Sequence, residues 1–439
     1  YQRSANIRQK INLCVDHPKQ ARDVRTRLIL SMHDFDGRPA DLMRRLADAW
    51  GEPAASVVKF AYRARSIRDN LEIFEILKDA PKPTIGLGMG EFGLMSRVLA
   101  PKFGGFLTFA SLREETATAP GQPTISDLLG MYRFRSIGKD TKLYGVIGWP
   151  VTQSMSPLIH NAGFEARGVD AVYLPMPVPD SDEAFKATLV LFLDDAQLQY
   201  AGSSVTIPHK HRLARFKYAS TDASQDVTST GAANTLHAIL QWQGASDAKE
   251  WETDCVTLRN TDQWAIIDCL ESVIGTYEDL RVVVFGTGGV ARAAVAGLSS
   301  KPFTRILVSS RSLKQAEGFV SEFGDGVSAI DRADVSGASP GVLINCTPVG
   351  MAGGPDPEGL SIPVHEFAGK LPPETVFFDT VYNPIETPML KAAKQYGFRT
   401  IDGVEMFVRQ AAAQFELWTG EKAPVQLFDR LVREKLSAD

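Results

Sequence analysis

Short apolar runs bounded by turn residues recur along this chain, and between them apolar residues return at helical spacing. Leu28–Ser31, Ser56–Phe60, Thr84–Leu87 and Gly105–Phe109 predict four strands in the first 134 residues, with helices over Ala40–Trp50 and Ile67–Leu77 between them. Asp127–Lys142 mixes charge with Gly138 and reads as a linker, after which Leu143–Gly148 opens a new apolar strand. Strands and helices alternate again to residue 262, except that residues 242–258, polar and acidic, read as an insertion loop. A helix at about Asp262–Ile274 leads to Arg281-Val282-Val283-Val284-Phe285, a continuous β-branched run of the kind buried on both faces. A helix over Ala291–Leu298, strands at Arg305–Ser309, Val342–Cys346 and Val376–Asp379, and helices near Val404–Trp418 and Pro424–Leu436 complete the pattern. This alternation predicts an α/β chain built on parallel sheets. In such folds chemistry gathers at the carboxyl ends of strands, and here those ends carry His33, Lys59, Ser96-Arg97 and Ser111.

Composition narrows the function classes. A chain of 439 residues with 44% apolar and 23% charged residues has material for two to four domains. The net charge of −5 argues against a general nucleic-acid binder. No run approaches the ~18 apolar residues of a membrane-spanning helix, and no signal peptide is visible, so neither nucleic acid nor membrane is an expected partner. Cys14, Cys255, Cys269 and Cys346 form no C-x-x-C pair, which fits a reducing cytoplasm and offers no metal site. The chain begins at Tyr1 rather than Met, so further residues are expected ahead of it.

Gly286-Thr287-Gly288-Gly289-Val290-Ala291 follows the β-branched strand directly and opens a helix. The first glycine makes the tight turn, the second admits a pyrophosphate to the backbone, and Ala291 allows close helix–strand packing. This is a Rossmann-type dinucleotide site. The next strand ends in Ser309-Ser310-Arg311-Ser312, with no carboxylate for a ribose 2′-hydroxyl. An arginine between hydroxyls suits a 2′-phosphate, which predicts NADP over NAD. Elsewhere, Lys210 follows Val205-Thr206-Ile207-Pro208-His209, a turn that can fix a lysine in a cleft as a proton donor. Ser154 and Ser156, one residue apart in an expected extended segment before a helix, make a carboxylate cradle or a plain N-cap.

Taken in order, these pieces resemble shikimate dehydrogenase. The motifs are Gly148-x-Pro150-x-x-x-Ser154-x-Ser156-Pro157-x-x-His160-Asn161, Val205–Lys210, Gly231-Ala232-Ala233-Asn234-Thr235, Asn260-Thr261-Asp262, Gly286–Ala293, Asn345–Met351, Asp379–Pro384 and Gly403–Met406 with Gln410. The resemblance covers residues 143–437. It implies a substrate domain over 143–262 completed by helices in 404–437, a Rossmann-type NADP domain over 263–403, and a cleft between them. It implies Lys210 and Asp262 as the catalytic pair, Ser154, Ser156 and Tyr382 on a substrate carboxylate, and Thr206, Asn234 and Gln410 on ring hydroxyls. It further implies Gly286–Ala291, Ser310–Ser312, Thr347, Pro348, Val349 and Gly403 around the cofactor. Ser156 favours shikimate over quinate, because threonine at that place accompanies quinate use in this family. Ser204 departs from the family's usual asparagine, Gln263 from a glycine and Ser310 from an asparagine.

Residues 28–128 resemble a second family, type I 3-dehydroquinate dehydratase, through Ser31-Met32-His33-Asp34-Phe35, Val57–Ala61, Met89–Gly93 with Ser96-Arg97, and Ala119-Pro120-Gly121-Gln122. The resemblance implies Lys59 as the Schiff-base lysine, His33 as acid and base, and Arg97, Ser111 and Gln122 as substrate ligands. The region, residues 1–134, holds about four strands where that family has an eight-stranded barrel, so a partial (β/α) barrel is expected. The family's early Glu-Gly-Gly and arginine are missing from Tyr1–Arg27. The dehydratase product is the dehydrogenase substrate, which makes the tandem order chemically sensible. The rival expectations are a quinate/shikimate dehydrogenase of broader specificity and a non-catalytic regulatory relative with degraded sites; the retained pairs Lys210–Asp262 and Lys59–His33 weigh against the latter.

Overall fold

Three short β-branched or apolar runs near the start of the chain form strands β1 (Ile29–Asp34), β2 (Val57–Arg63) and β3 (Thr84–Met89). The structure, a computed structural model, describes residues 27–113, 121–151, 153–243, 250–277, 280–302 and 305–438. The first 26 residues of the expected barrel region, Ala119-Pro120 of its last motif, and residues 244–249 lie outside the described residues. The three strands pair in parallel in the order β1-β2-β3, joined by α1 (Leu42–Gly51) and α2 (Asp69–Lys78). One face carries Val57, Ala61, Ile85, Leu87 and Met89, covered by Leu107 and Phe109.

The fourth expected strand, Gly105–Phe109, does not form. Gly104 turns at φ +76°, Gly105 N donates back to Ala100 O, and only Phe106 N reaches β3, at Thr84 O. Its apolar residues serve as packing rather than as a ladder. Lys59 also moves from the expected strand end to the third of seven positions, because β2 continues through Ala61, Tyr62 and Arg63 against β3. The expected linker Asp127–Lys142 holds a π turn at Asp127–Met131 and a 3₁₀ turn at Phe134–Ser136. Its end is tied by Lys102, whose ammonium donates to the Lys139 and Thr141 carbonyls at 2.7 and 2.9 Å.

The next sheet has six strands in the order β5-β4-β6-β8-β9-β7. These are β4 (Lys142–Gly148), β5 (Ala171–Pro177), β6 (Tyr200–Val205), β7 (Thr221–Ala223), β8 (Thr235–Gln243) and β9 (Glu250–Arg259). Helices α3 (Ser156–Arg167), α4 (Lys210–Arg215) and α5 (Gln225–Thr230) belong to this part of the chain. The expected insertion loop is corrected here: residues 235–243 and 250–259 form an antiparallel strand pair running from Thr235↔Arg259 to Gln243↔Glu250. Acidic residues hid it. Along β9, Glu252 and Asp254 are exposed while Trp251, Thr253 and Cys255 are half-buried, the alternation of a strand with one face in water.

The third sheet is wholly parallel, in the order β12-β11-β10-β13-β14-β15. Its strands are β10 (Arg281–Phe285), β11 (Arg305–Ser309), β12 (Val327–Ala329), β13 (Val342–Asn345), β14 (Val376–Asp379) and β15 (Arg399–Ile401). This is the 3-2-1-4-5-6 order of the Rossmann fold, with its switch point between β10 and β13. Val282 and Val284 join one core and Val283 and Phe285 the other, which is why β10 reads as an unbroken apolar run. Helices α6 (Thr261–Glu271), α7 (Gly289–Ser299), α8 (Leu313–Val320) and α9 (Pro388–Gln395) flank it. The long α10 (Gly403–Thr419) packs on α6, α3 and α11 (Val425–Ala438) and reaches β6 and β8.

The chain divides into two compact units. One gathers the residues up to Tyr144 with 150–152 and 170–199; the other holds 145–149, 153–169 and 200–439. Among the described residues no helix is long and apolar enough to cross a membrane.

Candidate active site

The Lys210 stretch is held by backbone bonds before any side chain acts. Thr206 N donates to Ile147 O, Trp149 N to Ile207 O, and His209 N to Thr206 O, at 2.8–3.0 Å. Val205 N donates to Asn234 O, and Ala233 N to Lys210 O. The Ile207–Pro208 peptide is cis. α4 begins at Lys210, and Asp262 lies in the first turn of α6. Lys210 Nζ meets Asp262 Oδ2 at 2.5 Å, with the two side chains 13% and 7% exposed. Asn234, 2% exposed, donates from Nδ2 to Asp262 Oδ1 at 2.9 Å and to Thr261 Oγ1 at 3.0 Å. A carboxylate bonded on both oxygens, beside an ammonium with two donors left, is equipped to steady a charge developing on a substrate oxygen and to move its proton.

Ser156 and Ser154 meet at the start of α3, where Ser156 N donates to Ser154 Oγ at 3.2 Å. The segment is not extended as expected: Met155 takes a helical φ of −77° and ψ of −8°, so the two hydroxyls are set by a turn rather than by strand alternation. Gln410 is buried on α10 and donates to Phe407 O at 3.1 Å. Tyr382 stacks on Phe407 at 4.7 Å, and burial pushes its hydroxyl pKa up. Thr206 is half-buried.

The glycine loop stands next to the lysine. A Cβ on Gly289 would lie 3.5 Å from Lys210 Cδ. Gly286 turns at φ +115°, and a Cβ there would stand 3.0 Å from Cys346 O. A Cβ on Gly288 would meet nothing within 4 Å, so the backbone at the start of α7 is open to a phosphate, while Ala291 is fully buried. α7 starts at Gly289, two residues before its expected position. Across the switch point, Asn345 Oδ1 accepts from Thr347 N and Oγ1 at 2.9 and 2.7 Å, shaping the Thr347-Pro348-Val349 turn. Asn345 is itself held by Asp379 Oδ1 at 2.8 Å. Gly403 begins α10 against Val381. Arg311 is exposed; Ser310 Oγ donates to Ser312 O, and Ser312 caps α8 by accepting from Gln315 N. An open glycine loop and an exposed guanidinium beyond the second strand fit a dinucleotide with a 2′-phosphate.

The first unit holds its own cluster. His33 and Lys59 share a sheet face, since Ser31 pairs with Lys59 and His33 with Ala61. Lys59 Nζ lies 4.0 Å from the Phe109 ring centre. Its pKa is lowered by burial and then by Arg97; that of His33 is lowered by burial and then by Lys59. Arg97 is 2% exposed, and burial pushes it down to about 10; its Nε has no hydrogen-bond partner among the described residues. Ser111 forms an isolated bridge to Thr124, and Gln122 is half-buried near it in sequence. A lysine of lowered pKa is the form that attacks carbonyl carbon.

Sequence reasoning quoted Thr235 and Thr261 within motifs without giving them a role and passed over Gln414; all three are buried and bonded around Asn234. Gln414 had a signal: it sits four residues after Gln410 on the buried stripe of α10, where a second glutamine interrupts apolar positions.

Known proteins match the same regions. Residues 14–139 match the type I 3-dehydroquinase family, residues 146–236 the shikimate dehydrogenase substrate binding domain, and residues 403–433 the shikimate 5′-dehydrogenase C-terminal domain. A shikimate dehydrogenase (NADP+) of Maridesulfovibrio salexigens is 34% identical over 301 residues, 68% of this chain and 98% of the relative. The chloroplastic bifunctional 3-dehydroquinate dehydratase/shikimate dehydrogenase of Arabidopsis thaliana is 35% identical over 92% of this chain, which spans 64% of that relative's length. A crystal structure of shikimate dehydrogenase in complex with NADP+ aligns with a TM-score of 0.56 at 30% identity, covering 67% of this chain and 96% of the other.

Proposed function

Because this chain belongs to the shikimate dehydrogenase family, we propose that it interconverts 3-dehydroshikimate and shikimate with NADP(H), behind a unit of 3-dehydroquinate dehydratase type. The observation that carries the reading is the Lys210–Asp262 pair, closed at 2.5 Å with the glycine loop against the lysine stem. NADPH, when bound, supplies the hydride. Lys210 Nζ hydrogen-bonds the ketone oxygen, steadies the charge that develops there and hands over a proton; Asp262 keeps the ammonium aimed. Ser154, Ser156 and Tyr382 hold the substrate carboxylate, and Thr206, Asn234 and Gln410 its ring hydroxyls. Gly286–Ala291, Thr347–Val349 and Gly403 seat the cofactor, with Ser310, Arg311 and Ser312 on its 2′-phosphate. The substrate domain spans 143–262 with 404–437, and the nucleotide domain 263–403. The free thiols Cys255, Cys269 and Cys346 fit a reducing compartment such as the cytoplasm.

The test is NADPH oxidation with 3-dehydroshikimate, run beside quinate oxidation with NAD and NADP. Turnover confined to the shikimate pair with NADP is expected. Faster turnover of quinate would replace this reading with the broader specificity, and no turnover of either would remove it.

For the first unit we propose that Lys59 forms a Schiff base with 3-dehydroquinate, with His33 as the proton shuttle and Arg97, Ser111 and Gln122 on the substrate. Borohydride trapping with 3-dehydroquinate should mark Lys59 in the peptide mass map. An unmodified Lys59 would mean that this chain lacks the dehydratase step.

A further inference from the structure

The catalytic pair is the end of a longer buried chain of hydrogen bonds. Asp262 Oδ1 accepts from Asn234 Nδ2, which leaves Oδ2 for Lys210. Asn234 Oδ1 accepts from Thr261 N at 2.8 Å and from Thr235 Oγ1 at 2.7 Å. Thr235 Oγ1 in turn accepts from Gln414 Nε2 at 2.9 Å, and Gln414 Oε1 accepts from Ser204 Oγ at 2.7 Å. Ser204, Asn234, Thr235, Asp262 and Gln414 are all buried.

Groups that can only donate or only accept set the directions along this chain. Asn234 O can only accept, so the Gln414 amide turns its N–H groups to β8, one toward Thr235 and one toward Asn234 O at 3.3 Å, and its Oε1 to Ser204. Thr261 N can only donate, which fixes Oδ1 as the Asn234 atom on that side, so the Thr235 hydroxyl 2.7 Å away gives it its single proton. The Asn234 oxygen is then satisfied, and only its N–H edge faces the carboxylate. The far end is packed against a neutral ring: His160 is fully buried against Trp418 at 5.2 Å, and burial pushes its pKa down to about 3 against the pull of the Gln414 amide.

We propose that Thr235 and Gln414 are positioning residues: through Asn234 they hold Asp262 in the orientation that aims Lys210. This rests on the dehydrogenase reading of the site. Ser204, the departure from the family's asparagine, donates to the Gln414 oxygen at the far end of this chain. Removing either positioning residue leaves buried polar groups unpaired and lets Asn234 turn or shift, and small displacements of catalytic groups cost heavily in rate.

The experiment uses the full chain, oxidising shikimate with NADP+, with sites counted by NADPH fluorescence. Thr235→Val and Gln414→Met should each lower kcat about 10- to 100-fold with KM for shikimate within about threefold. Thr235→Ser, which restores the hydroxyl, should recover kcat to within about threefold. The double variant Thr235→Val/Gln414→Met should lose no more than the worse single variant, as residues acting through one path do. A merely structural role would lower Tm while leaving kcat per counted site intact. Wild-type kcat in Thr235→Val, failure of Thr235→Ser to rescue, or multiplying losses in the double variant would each overturn the proposal. If Thr235→Val does not fold, Gln414→Met decides: a kcat fall at constant KM supports the role, and an unchanged kcat overturns it. A wild-type chain that turns over shikimate isolates failure of this inference; one that does not overturns the underlying reading and this role with it.

Discussion

Among the described residues Lys210 Nζ donates to one carboxylate oxygen, Asp262 Oδ2, and spends one of its three protons there. In the proposed role of proton donor it would contribute about 10²- to 10⁴-fold. Lys210→Ala should therefore lower kcat by that factor with a modest change in KM, measured on shikimate with NADP+. Arg311, exposed and flanked by hydroxyls, should matter only to the phosphorylated cofactor: Arg311→Ala raises KM for NADPH and leaves KM for NADH nearly unchanged. Comparable kcat/KM for the two cofactors in the wild type would remove that role. Asp379 sits behind the cofactor loop, and burial pushes it up to about 6, against the bonds it accepts from Thr387, Val381 and Asn345. The unfolded chain releases this proton near pH 4, so between about pH 4 and 6 the folded state holds more protons. Stability should fall across that window as pH rises, by at most about 3 kcal/mol. Asp379→Asn should flatten the fall, read from urea unfolding at a series of pH values.

At the scale of elements, the start of α10 shows how little slack the site has. A Cβ on Gly403 would lie 2.2 Å from Val381 O, inside the backbone that leads to Tyr382. Gly403→Ala should push α10 away from that turn, lowering stability by about 2–3 kcal/mol and raising substrate KM together, since Gln410 rides on the same helix. Elements buried on both faces were plain in the sequence: β10 shows as Val282-Val283-Val284, and the glycines after it mark the turn. Elements with a wet face were not. β9 was hidden by Glu252 and Asp254, whose exposure is what lets the other side of the strand be covered. Gly105–Phe109 failed the other way, because its apolar residues pack on a sheet without joining it. Within the site, the ordered motifs carry Lys210, Asp262 and Asn234, which the structure brings into contact. Gln414 lay outside every motif and Thr235 stood inside one without a role, because a buried hydroxyl or amide looks in sequence like any polar residue until its partner arrives from a distant segment.

At the scale of the whole molecule, each cluster is built from residues of one compact unit: His33, Lys59 and Arg97 in the first, Lys210, Asp262 and the glycine loop in the second. The chemistry should therefore separate cleanly. Lys210→Ala should cut shikimate oxidation by the same factor while leaving borohydride labelling of Lys59 at its wild-type extent, followed by peptide mass mapping; a loss of labelling would mean that the units depend on one another. Within the second unit the catalytic parts are far apart in the chain, and Gln414 meets Ser204 across 210 positions. That separation has a consequence in time. On a ribosome adding ~5–20 residues each second, Gln410 follows Lys210 after roughly 10–40 s. Until α10 arrives, Phe164 of α3 lacks the Phe415 ring that covers it at 5.6 Å, and Leu236 O lacks the Trp418 indole. The nascent chain carries an uncovered aromatic floor for that interval, and the site becomes competent only once α10 has been made.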